Sequence, residues 1–74
     1  MSILIFFLTL VCKTVGSGNE VNKSCVFPFI YKSVAYDACT LRDYGKLWCF
    51  TEVDSNGIGV YEKWGWCDHF CPGN

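Results

Sequence analysis

Helical periodicity is missing from this chain. No stretch repeats apolar residues at the three- and four-residue intervals of an amphipathic helix, which excludes a helical bundle. Proline is scarce, at two residues, and there is one histidine. His69 has no serine or cysteine arranged with it as a nucleophile. The acidic residues Asp37, Asp43, Glu52, Asp54, Glu62 and Asp68 are scattered over turn-like stretches, which reads as solvated surface rather than a catalytic carboxylate pair. Basic residues are few: six Lys and Arg stand against seven Asp and Glu, a net charge of −1. That balance gives no electrostatic case for nucleic acid or for an anionic membrane surface. No apolar run approaches the 20 or so residues a bilayer span requires. With 74 residues, the chain is too small to enclose and dry an active site, so no enzyme is expected. No internal repeat is present and there is no room for a second domain.

The longest apolar run is "ILIFFLTLVC", residues 3–12. It fits the hydrophobic region of a secretory leader. "KTVGSG" follows, and Val15 and Ser17 suit the small-residue requirement of a leader peptidase. The expectation is a leader over 1–17, cut after Ser17 or Gly18, and a secreted, extracellular product. Residues 18–24, "GNEVNKS", are then a polar, flexible N-terminal segment. They hold an N-x-S sequon at Asn22, a candidate glycosylation site.

Cysteine is abundant, with six in the chain. Cys12 leaves with the expected leader, and Cys25, Cys39, Cys49, Cys67 and Cys71 remain. So dense a set in a short exported chain reads as a disulfide scaffold. A domain this small buries too little apolar surface to hold itself together without cross-links. Spacing alone leaves several pairings open. One cysteine of the five is left over, which suggests an intermolecular bridge or a reactive thiol.

Strand signals fall in two groups. "CVFPFIYK" reads as a short edge strand interrupted by Pro28, and "SVAYDAC" as its return, with Lys32 and Ser33 near the turn. "LWCFTEV" and "VYEKWGWC" read as a second pair, joined through "DSNGIG", where Asn56-Gly57 is a strong hairpin signal. "TLRDYGK" is a loop turning at Tyr44-Gly45. The expected fold is a small, disulfide-rich, mostly irregular β domain of two short two-stranded antiparallel sheets.

The chain has 18% aromatic residues, including three tryptophans; all three lie in "LWCF" or "WGWC", and two of them adjoin a cysteine. Taken with the cysteines they give C-x2-P-F-x-Y-x7-C-x8-W-C from Cys25 to Cys49, then W-x-W-C ending at Cys67. This pattern closely resembles a fibronectin type II module over residues 25–67, with 68–74 as a short tail carrying Cys71. The resemblance implies two small, roughly perpendicular sheets in a kringle-like arrangement. It implies disulfides Cys25–Cys49 and Cys39–Cys67, which leaves Cys71 unpaired or linking two copies as a dimer. It implies that Tyr31, Trp48 and Trp64 line an exposed aromatic pocket. Phe27, Phe29, Tyr36 and Trp66 are assigned to structure. With Cys67 taken by a disulfide, "CDHFC" around His69 is no metal site, and no cofactor is expected.

Two departures stand out. Ser55 occupies the position where the family carries an aromatic after a polar residue, here Asp54. "SNGIGVYE" reads as an insertion, and Tyr61 is a candidate to fill the space Ser55 leaves. Ligands implied by the resemblance are choline phospholipid headgroups, as in seminal plasma proteins, and collagen or gelatin, as in gelatinases and fibronectin. Aromatic faces attract a quaternary ammonium, and an aromatic groove accepts an extended proline-rich chain. Peripheral contact with a phospholipid surface follows from the first. Two other readings stay open: a small secreted effector, such as a venom or seminal component, acting on a membrane protein or receptor, and a structural fragment of a larger extracellular multi-module protein.

Overall fold

A computed structural model describes residues 12–73. The expected leader lies, apart from residues 12–17, outside the described residues. Five short strands run in the order β1 (Thr14–Val15), β2 (Phe29–Tyr31), β3 (Val34–Tyr36), β4 (Trp48–Phe50) and β5 (Trp64–Cys67), and no helix is present among the described residues. They form a two-stranded sheet, β2-β3, and a three-stranded sheet ordered β1-β5-β4. All pairings are antiparallel.

The first hairpin follows from its turn. Phe29 faces Tyr36 and Tyr31 faces Val34 across it. Lys32 and Ser33 both take positive φ, 50° and 68°. Positive φ at both central residues is the turn whose twist matches that of paired strands. Pro28 sits just ahead of β2, where its missing N–H costs no ladder hydrogen bond.

The second pair is β4 with β5, in the register Trp48–Trp66, Cys49–Gly65 and Phe50–Trp64. Its connection is long. At the tip, Gly57 N–H donates to Asp54 O at 2.9 Å, and Gly57 takes φ 84°. The Asp54 carboxylate accepts from the Asn56 and Ile58 N–H groups at 2.8 and 3.0 Å, a side-chain cap that holds the turn. The strand after the tip does not simply return. Ile30 N–H donates to Gly57 O at 2.9 Å, and Gly59 N–H donates to Ile30 O at 3.0 Å. The insertion is therefore stitched to the edge of β2, and it joins the two sheets.

The third strand differs from the two-plus-two expectation. Thr14 and Val15 pair with Cys67 and Trp66 on the free edge of β5. The core lies between the sheets and consists of Phe29, Trp48 and Phe50 with Cys12, Cys39 and Cys49. Phe29 packs within 5.6 Å, centroid to centroid, of Tyr36, Trp48 and Phe50. Three disulfides cross this core: Cys25–Cys49, Cys39–Cys67 and Cys12–Cys71. Cys71 is thus not left over. Removing residues 1–17 on paper deletes its partner, and that is why the sequence leaves it single. With Cys71 bonded inside the chain, no free thiol remains among the described cysteines for an intermolecular bridge.

Candidate binding site

Side chains on one face of the molecule enclose an open cavity of about 300 Å³. Its lining draws on β2, β4, β5 and the loops that join them: Ile30, Tyr31 and Lys32 from the first hairpin, Tyr44 from the following loop, Trp48 and Phe50 from β4, Ile58, Gly59, Tyr61 and Glu62 from the insertion, and Trp64 from β5.

Tyr31, Trp48, Trp64 and Tyr61, the four residues singled out in the sequence, all line this one cavity. They differ in exposure. Trp48 is 2% exposed and forms the floor, while Tyr61 is 86% exposed at the rim. The Trp48 indole is satisfied from within, since Nε1–H donates to Arg42 O at 2.8 Å. The Tyr31 ring meets it edge to face at 5.0 Å. Asn22 lies elsewhere, beside the Cys12–Cys71 disulfide.

Tyr44 is a wall that the sequence reading left as part of a turn. Its ring stacks on Trp64, with centroids 5.9 Å apart and planes 14° apart. It also meets Trp48 edge to face at 6.0 Å. The signal was an aromatic residue in the loop just before Trp48, but its direction depends on Asp43 turning the chain through φ 68°. Ile58 was missed as well, because its place depends on the insertion folding back to Ile30. Gly59 is required at that contact: a Cβ there would collide with the Phe50 ring. Ser55 is exposed at the hairpin tip and is no part of the cavity lining.

Charge is arranged asymmetrically around the opening. Asp43 accepts from the Tyr31 hydroxyl at 2.7 Å and from Lys32 Nζ at 2.8 Å. The Lys32 hydrogen bond, then that of Tyr31, holds the Asp43 carboxyl below the usual carboxylate range. The bond to Asp43 in turn pushes the Tyr31 hydroxyl up, so it stays neutral at physiological pH. Lys32 is paired with Asp43 in this way. Glu62, also in the lining, is in no ion pair among the described residues. The opening therefore offers a carboxylate and ring faces, with aromatic floor and walls behind. Behind Trp64, the Trp66 ring carries Lys46 Nζ over its face at 4.8 Å.

The arrangement is that of an apolar recess with few polar groups, suited to binding rather than to bond-making. Over residues 25–67 the chain matches the family described as "Fibronectin type II domain". The chain belongs to that family. The match takes in both hairpins and every residue lining the cavity. Residues 25–67 are thus a domain of a non-enzymatic binding family.

Among curated proteins, "72 kDa type IV collagenase" of Gallus gallus is 45% identical over 56 residues, covering 73% of this chain and 8% of the relative. "Matrix metalloproteinase-9" of Canis lupus familiaris is 39% identical over 64 residues, covering 84% of this chain and 9% of the relative. "Cation-independent mannose-6-phosphate receptor" of Homo sapiens is 40% identical over 45 residues, covering 61% of this chain and 2% of the relative. The chain thus spans less than a tenth of the length of each. No solved structure gives a significant match.

Proposed function

We propose that the chain is a secreted module that binds collagen- or gelatin-like chains in its aromatic cavity. The observation that carries this reading is the convergence of Tyr31, Tyr44, Trp48, Tyr61 and Trp64 on one open recess of about 300 Å³. An extended chain without internal hydrogen bonds presents proline rings and backbone carbonyls to such a surface. The stacked Tyr44–Trp64 pair gives a flat wall for those rings. The name of the chicken relative, a type IV collagenase, supports the same class of partner.

A second reading is favoured by Glu62. A carboxylate facing aromatic rings attracts a quaternary ammonium, worth roughly 0.5–2 kcal/mol from each well-placed face. A choline phospholipid headgroup meets that description. Both ligands approach the same recess, so one experiment separates them. The oxidised protein is passed over immobilised gelatin and, separately, titrated with phosphorylcholine while tryptophan fluorescence is followed. Retention on gelatin that falls at least several-fold in Tyr61→Ala and in Tyr44→Ala supports the first reading. A saturable fluorescence change with phosphorylcholine, weakened in Glu62→Gln, supports the second. Loss of neither interaction in these variants refutes the cavity as the site.

The reading includes an N-linked glycan at Asn22. Asn22 is exposed and lies away from the cavity lining, so a glycan there leaves the opening free.

A further inference from the structure

The segment ahead of Cys25 matches the sequence pattern of a leader peptide and its cleavage site, yet it is built into the fold. Thr14 is 1% exposed. Its N–H donates to Lys23 O at 2.8 Å, and its carbonyl accepts from Asn22 N–H at 2.8 Å. Its hydroxyl accepts from Lys23 N–H at 3.0 Å. Cys12 O accepts from Cys25 N–H at 2.8 Å, and Cys12 Sγ is bonded to Cys71. Residues 12–24 thus double back on themselves as a small hairpin and add β1 to the edge of β5.

The partner strand is shaped for this cover. A Cβ on Gly65 would strike the Thr14 side chain and the Glu20 carbonyl. A Cβ on Gly18 would press within 3.2 Å of both Trp64 and Trp66. Glu20 N–H donates to Trp64 O at 2.9 Å. The segment therefore braces the strand that carries one wall of the cavity.

Independent support comes from the relatives. The stretch from Cys25 to the last residue is about two-thirds of the chain. The similarity to the chicken and dog proteins covers 73% and 84% of it, so both alignments reach into residues ahead of Cys25. A leader needs only its charge, apolar run and small-residue cut site. It has no reason to match the residues of a folded module.

We propose that residues 12–24 are a structural clasp of the mature module, and that no processing cut falls between Cys12 and Ser24. The apparent cut site at Val15–Gly18 is instead the strand and turn that cover Gly65 and Trp66.

The test uses the full chain expressed through a secretory pathway. The N-terminus of the product is sequenced, its intact mass is measured, and its disulfides are mapped without reduction. A product beginning at or before Cys12, with three disulfides and a Cys12–Cys71 cross-linked peptide, is expected. A product beginning anywhere from Lys13 to Ser24, Gly18 and Asn19 included, overturns the proposal, as does Cys12 or Cys71 recovered as a free thiol. These readouts need no ligand, so they stand or fall separately from the binding proposed above.

Discussion

Asp43 does not line the cavity, yet it ties together two residues that do, Tyr31 and Lys32. Its carboxylate fixes the Tyr31 hydroxyl and Lys32 at the rim, and its positive φ turns the chain toward Tyr44. Because its folded-state pKa is depressed, it binds its proton less readily in the folded than in the unfolded chain. Its contribution is complete above the ordinary carboxylate value of 3.8. It is lost as pH falls through the depressed folded value. A denaturant titration repeated through the acid range is expected to show stability falling below pH about 4, with a shallower fall in Asp43→Asn. Equal slopes in the two proteins would mean that the exposed pair is screened to no effect. At the residue scale, Tyr31, Trp48 and Trp64 were expected at a pocket through the resemblance to the fibronectin type II family, and all three line the cavity. Tyr44 and Glu62 were not legible. Both owe their positions to left-handed backbone at non-glycine residues, Asp43 and Glu62 itself, and no periodicity announces such turns.

The two predicted hairpin pairs exist because local turn chemistry and the pleat agree. The first carries residual strain, since neither Lys32 nor Ser33 prefers positive φ. Left-handed backbone costs a non-glycine residue roughly 1–2 kcal/mol. Ser33→Gly is therefore expected to stabilise the domain by about 1 kcal/mol, the unfolded-state entropy of glycine offsetting part of the relief. Chemical denaturation with the slope held constant measures it. The added strand β1 escaped the sequence reading for a physical reason. It is two residues long, it has no alternation to detect, and it directly follows an apolar run that satisfies the rules for export. Only the partner strand hinted at it, through Gly65 between two tryptophans, a position where close backbone approach demands a missing side chain.

At the scale of the whole molecule, cross-links supplement a small core built around Phe29, Trp48 and Phe50. The loops closed by Cys25–Cys49 and Cys39–Cys67 span 24 and 28 residues of separation, and Cys12–Cys71 spans 59. In the chain-entropy account the longest loop restrains the unfolded chain most. The double variant Cys12→Ser, Cys71→Ser is expected to lose about 2–4 kcal/mol against denaturant. The two inner disulfides and the β4–β5 pairing should survive. A loss near zero would mean that β1 holds by its backbone hydrogen bonds alone.

The three disulfides also sit against one another. The sulfurs of Cys12, Cys25, Cys39, Cys67 and Cys71 lie within 4.8 Å of each other, and Cys12 Sγ is 3.2 Å from Cys25 Sγ and 3.7 Å from Cys39 Sγ. Thiol–disulfide exchange needs a thiolate within reach of a neighbouring sulfur. Here nearly every sulfur has one. A single reduced bridge in the native molecule is therefore positioned to migrate: the freed thiolate meets a second disulfide without unfolding.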